Sequence, residues 1–99
     1  MNMQAMLRQA QNLQKDMLNA KKKVDEMEFV SESSLVKLTM KGTREVTKVE
    51  IKKDGGLEVD DLEMLEDMIM VAVNEANKKV EKALEEHVGK YTKGMPGLF

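Results

Sequence analysis

Few of the side chains in this sequence can do covalent chemistry. Its 99 residues include one histidine, His87, and no cysteine. Thiol catalysis, zinc ribbons and disulfide scaffolds are thereby excluded. His87 falls near the end of a helical pattern, and general acid–base work would need a partner within hydrogen-bond reach. Ser31, Ser33 and Ser34 occupy a turn-like stretch with no second His to activate them. Gly55-Gly56 lacks the Gly-Lys-Ser/Thr of a phosphate-cradling loop. The carboxylates from Asp54 to Asp67 fail the Asp-x-Asp-x-Asp-Gly spacing of a calcium loop, because Gly56 stands at its third position. The sequence predicts no enzyme, no metal and no cofactor. Binding by charge is the chemistry left.

The formal charge of −2 conceals a gradient. Residues 1–53 carry eleven Lys/Arg against seven Asp/Glu, and residues 54–99 carry five Lys against eleven acids. Three basic groups stand out. The first lies on one predicted helix: Arg8, Lys15, Lys21, Lys22 and Lys23, with Asp16 the one acid before Asp25. The second is Lys37, Lys41, Arg44, Lys48 and Lys52 on a predicted sheet face and its turn, with Lys53 beside them. The third is Lys78, Lys79 and Lys82. Flexible lysines suit phosphate backbones, which bind by counterion release without base contacts. With two arginines in the chain, base-edge readout is not expected. One Tyr, two Phe and no Trp argue against single-strand stacking platforms, so the favoured polyanion is duplex DNA. The bland alternative is solubilising charge, and a pI of 5.5 falls short of the basic signature of nucleic-acid binders.

The elements that must position these groups follow from periodicity. Met3, Met6, Ala10, Leu13, Met17, Ala20, Val24 and Met27 recur at alternating spacings of three and four, an a/d heptad seam. Phe29-Val30-Ser31 is β-prone. Val36, Leu38 and Met40 alternate with Lys37, Thr39 and Lys41; Thr47, Val49 and Ile51 alternate with Lys48, Glu50 and Lys52. Gly42-Thr43-Arg44-Glu45 supplies the intervening turn and the Gly a hairpin needs. Asp60-x-x-Glu63 reads as a capping-box variant before a second helix, with Gly89 as its stop. The prediction is an α+β fold: long helix, three-stranded antiparallel meander, long helix. It forms one domain over 1–89, with a flexible Gly/Pro-containing tail over 90–99. Helices longer than a small sheet must overhang it, and an uncovered heptad seam wants a second copy, so a homodimer is expected. No apolar run is long enough for a membrane span, and Met1-Asn2-Met3-Gln4 shows no secretory pattern, so a cytoplasmic location is expected.

Four blocks, in order, resemble the bacterial YbaB/EbfC nucleoid-associated proteins. Residues 6–15 (MLRQAQNLQK) are similar to their opening helix. Val36 to Gly42 followed by Val46 to Ile51 is similar to their hairpin. Met64 to Ile69 with Val73 to Ala76 is similar to their second helix, and Gly94 to Phe99 to their tail. The resemblance implies a tweezer-like homodimer in the nucleoid that binds double-stranded DNA and affects gene expression. It implies no catalytic residues, and it places DNA contacts on the projecting helices. In this sequence those are Arg8, Lys15, Lys21, Lys22 and Lys23, with Lys37, Lys41, Arg44 and Lys48 as weaker candidates. The rival expectation is a chaperone-like or scaffolding dimer without nucleic acid. The helix–hairpin–helix layout resembles prefoldin-type subunits, and a Met-rich seam suits apolar clients.

Overall fold

The computed structural model describes residues 2–52 and 56–92. Lys53, most of the Asp54-Gly55-Gly56 breaker and the tail from residue 93 onward lie outside the described residues. The element order is helix α1 (Met3–Glu26), strands β1 (Glu28–Glu32), β2 (Val36–Lys41) and β3 (Val46–Ile51), one 3₁₀ turn (Val59–Asp61) and helix α2 (Leu62–Thr92). This is the α+β order the periodicity predicts. The molecule is drawn out, spanning 70 × 21 × 15 Å.

Helix α1 is built from Ala, Leu, Met, Gln and Lys, all good helix formers. It starts where Asn2 accepts the Ala5 N–H through Oδ1 at 2.7 Å. It stops at Met27, whose backbone turns extended (φ −72°, ψ 151°) and enters β1. Helix α2 starts one element later than its predicted cap. The Glu58 N–H donates to the Asp61 carboxylate at 3.0 Å, so the cap lies on the 3₁₀ turn, two residues before the Asp60–Glu63 box. Gly89 does not stop α2, which continues to Thr92. A single mid-helix Gly costs about 1 kcal/mol, and packing of Val88 (fully buried) and Ala83 alongside α1 outweighs it.

The sheet order is β1-β2-β3, antiparallel throughout. Residues paired in register share a face. Val36, Leu38 and Met40 of β2 face α2 together with Phe29 and Ser31 of β1. Against them α2 lays Leu65, Ala72, Ala76 and Val80, and this is the core. Buried Ser31 donates from Oγ to Glu75 at 3.2 Å, which satisfies the polar residue of that face. The Lys79 ammonium donates to the Val30 carbonyl at 2.6 Å on the same flank. Helix α2 therefore lies over β1 and β2.

Two sequence expectations about the hairpin change. First, Thr39 pairs with Lys48 but Met40 with Val46, a bulge that leaves Thr47 unpaired. Beyond it Val46, not Thr47, joins Val49 and Ile51 on the core-side face. Second, Gly42 is not the residue with left-handed backbone. That is Arg44 (φ +74°), at the αL position of a three-residue loop closed by Lys41 N–H to Glu45 O at 2.8 Å. Gly42 is needed for space: a Cβ there would lie 1.7 Å from the Val24 carbonyl oxygen and 2.9 Å from Asp25 Cα. The Gly42 N–H also donates to the Met27 carbonyl at 3.1 Å. The hairpin tip is thus locked to the α1–β1 joint, which fixes the direction in which α1 leaves the sheet.

Helix α1 runs antiparallel to the second half of α2, and the seam divides there. Val24 is buried, with Met17, Ala20 and Met27 half-buried. Met3, Met6, Ala10 and Leu13 stay bare, Met3 at 77% exposure. Half of the seam is covered within the chain and half is not, in line with the expectation that nothing in the chain covers its full length.

Candidate functional site

The predicted basic residues fall on three surfaces that differ in their counter-charge. On α1, Arg8, Lys15 and Lys22 follow one another at seven-residue intervals. That spacing sets them in one line along the helix, about 10.5 Å apart, on the side away from the seam. All three are exposed, and among the described residues none has a carboxylate within 4.0 Å. Lys21 lies round the helix and pairs with Asp25 at 3.7 Å. Lys23 turns toward α2, where it lines a hollow with His87 and Lys90.

The outer sheet face carries Lys37, Lys41 and Lys48, but strand register sets acids among them. Lys41 is opposite Glu28, and Lys37 lies between Glu32 and Glu50. Lys48 Nζ is 3.5 Å from Glu50. Lys52 bonds both Glu32 and the Ser33 carbonyl. The Lys52 ammonium, by hydrogen bond first and charge second, holds the Glu32 carboxyl below the usual carboxylate range. This face is close to neutral.

Arg44 does not join the sheet-face lysines. Its Nη1 donates to Asn77 Oδ1 at 3.1 Å and to the Asn77 carbonyl at 3.3 Å, tying the hairpin tip to α2. The third basic group is also split, because Lys79 is committed to Val30 while Lys78 and Lys82 stay exposed. Sequence reading missed Lys90 and Tyr91, which it assigned to a tail. The available signal was the unbroken helical composition across Gly89, and antiparallel packing against α1 gives it meaning.

A second surface is apolar. On β3, Val46, Val49 and Ile51 present their core-side face beyond the edge of α2, with Val49 45% exposed. Asn77 shows which flank of α2 borders this strand, and Met70, seven residues earlier, is exposed on that flank. Among the described residues, no group of three or more His, Cys, Asp or Glu is arranged to hold a metal. No helix among them is long and apolar enough to cross a membrane.

Comparison with known proteins agrees with this geometry. The model of the YbaB/EbfC DNA-binding family matches residues 1–95. A nucleoid-associated protein of Enterococcus faecalis is 44% identical over 99 residues, covering 98% of this chain and 94% of that protein. One from Lactococcus lactis is 41% identical, covering 97% and 98%. One from Pelotomaculum thermopropionicum is 37% identical, covering 99% and 96%. The prefoldin-like alternative finds no support in these comparisons. A family match across almost the whole chain shows that this chain belongs to the YbaB/EbfC DNA-binding family.

Proposed function

We propose that two copies of this chain bind duplex DNA in the nucleoid through its backbone phosphates, without catalysis, and so affect expression of the genes they cover. The observation that carries the reading is the line Arg8, Lys15 and Lys22, exposed and without counter-charge on a helix that projects from the sheet. Such a line meets a polyphosphate without first breaking ion pairs. On the sheet face Lys48 would have to break its pair with Glu50, and Lys37 and Lys41 have carboxylates opposite them in register, so these lysines rank below the arm. Base-sequence preference is weak in this reading, since of the two arginines Arg44 is committed to Asn77.

The homodimer rests on apolar surface. The uncovered face of β3, its neighbour Met70 and the bare half of the α1 seam leave large apolar side chains exposed, which a second copy would cover. Pairing through β3 would cover the edge that α2 leaves open and set the two α1 arms apart as a pair.

The test is a salt-titrated binding curve for a labelled 30-bp duplex. Log affinity should fall against log salt with a slope of about −0.9 per phosphate contact. Reversing the line (Arg8→Glu, Lys15→Glu, Lys22→Glu) should abolish binding while light scattering still reports a dimer. Unchanged affinity in that variant overturns the assignment, and a stable monomer of the native chain at micromolar concentration overturns the pairing.

A further inference from the structure

Where α1 and α2 run antiparallel, Lys23 of one helix and Lys90 of the other border the same hollow. This hollow, of about 250 Å³, is also lined by Asn19, His87, Tyr91 and one acid, Asp16. Neither lysine has a carboxylate within 4.0 Å among the described residues, although Glu86 stands one turn before Lys90. The Lys90 ammonium lies 5.0 Å from the centroid of the Tyr91 ring, a cation–π contact that steadies the side chain without neutralising it. The Asn19 amide and the His87 ring add N–H donors to the same wall. Two ammonium groups with neutral donors between them suit a compact anion with several acceptor oxygens. A phosphodiester is such an anion.

The position of the hollow identifies the source of that phosphate. Asn19 is four residues after Lys15 and three before Lys22, so on the helix surface it lies beside the cation line and also on the wall of the hollow. A backbone strand following Arg8, Lys15 and Lys22 down the arm therefore arrives there. We infer that the hollow seats one backbone phosphate of duplex DNA, gripped jointly by Lys23 and Lys90, so that the base of the arm is anchored through both helices. This rests on the DNA-binding reading above. Lys90 and His87 become contacts that the basic pattern of α1 alone does not contain.

The experiment compares the native full chain with Lys23→Gln/Lys90→Gln and Lys23→Arg/Lys90→Arg in duplex titrations from 50 to 200 mM salt. Both lysines are exposed, and circular dichroism should show the same helix content in all three. One shared phosphate predicts that the double Gln variant loses about 0.9 of the salt slope, so its affinity changes about 3.5-fold less across that salt range. The double Arg variant should keep the native slope. A loss near 1.8 would mean two separate phosphates and would overturn the shared seat. A native slope in the double Gln variant would remove the hollow from the DNA path while leaving the arm reading intact. Failure of the native chain to bind the duplex at all would overturn both. Competition by inorganic phosphate at millimolar concentration, equal in the native and double Gln proteins, would also count against the seat, because a seat predicts weaker competition once the lysines are gone.

Discussion

On the outer face of the sheet each lysine has a carboxylate opposite or beside it, and Lys48 and Lys52 make ion pairs, whereas on α1 no member of the line Arg8, Lys15 and Lys22 has a carboxylate within 4.0 Å among the described residues. The two surfaces carry similar numbers of cations, and the difference comes from backbone geometry. Strand register forces Lys37 between Glu32 and Glu50 and sets Lys41 across from Glu28, whatever else those residues do. Seven-residue spacing on a helix sets the cations about two turns apart; Asp25 and Glu26 follow Lys22 by one turn, but Asp25 pairs with Lys21 and neither acid comes within 4.0 Å of Lys22. Composition alone cannot distinguish these surfaces, but pairing can. A polyanion meets Lys48 and Lys52 only after ion pairs break and Lys37 and Lys41 only beside opposed carboxylates, and it meets the arm directly.

The arm stays bare because the α1–β1 joint holds it away from the sheet, and Gly42 is where the hairpin tip locks onto that joint. Gly42→Ala would drive a methyl group to 1.7 Å from the Val24 carbonyl, against backbone that cannot swing aside. The loss of stability should reach or exceed the upper end of the roughly 1–3 kcal/mol typical of overpacking, read as a lower urea midpoint. This is the largest effect expected here, and DNA affinity should fall with it as the arm loses its fixed direction. A variant with native stability would mean that something other than this contact orients α1.

Much of this fold is legible in the sequence. The alternation of Val36, Leu38 and Met40 gives the buried face of β2, and the extent of α1 follows from its heptads, while the Asn2 cap shows only in the structure. What is not legible depends on three dimensions. The bulge at Thr47 is invisible because Val46 and Thr47 are both good strand residues, and the switch shows only in register. The role of Gly42 is not legible either, since a turn explains a glycine as readily as a close approach does. The basic residues were all visible, but their ranking was not: Arg44 looks like any loop cation until Asn77 is found beside it. Lys90 looked like tail until α1 packed alongside.

If counter-charge separates the two surfaces, removing it should make the sheet resemble the arm. The variant Glu28→Gln/Glu32→Gln/Glu50→Gln leaves Lys37, Lys41, Lys48 and Lys52 unpaired on one face. Its salt slope for duplex DNA should steepen by about one to two phosphate contacts, with affinity rising several-fold at 50 mM salt. A slope equal to the native one would mean that the sheet face is turned away from DNA by the pairing of subunits, and geometry would then replace charge as the reason for its silence.

The smallest effect concerns one pair on that face. Lys52 holds the Glu32 carboxyl below its ordinary range, by hydrogen bond and then by charge. A carboxyl depressed in the folded state contributes stability that is present above its unfolded pKa and lost as pH falls through the folded value. The native chain should therefore be slightly more stable than Glu32→Gln at pH 7, and the difference should vanish as pH drops below the usual carboxylate range. Glu32 is open to solvent, so the difference is small and should shrink further in 0.5 M NaCl, because exposed pairs are screened. Protonation of Glu32 also frees the Lys52 ammonium. Across the same pH window the affinity of the native chain for duplex DNA should rise more than that of Glu32→Gln, in which Lys52 lacks that counter-charge throughout. Parallel pH dependence in the two proteins would show that this pair does not restrain the sheet face, and the contrast with the arm would then rest on Glu28 and Glu50 alone.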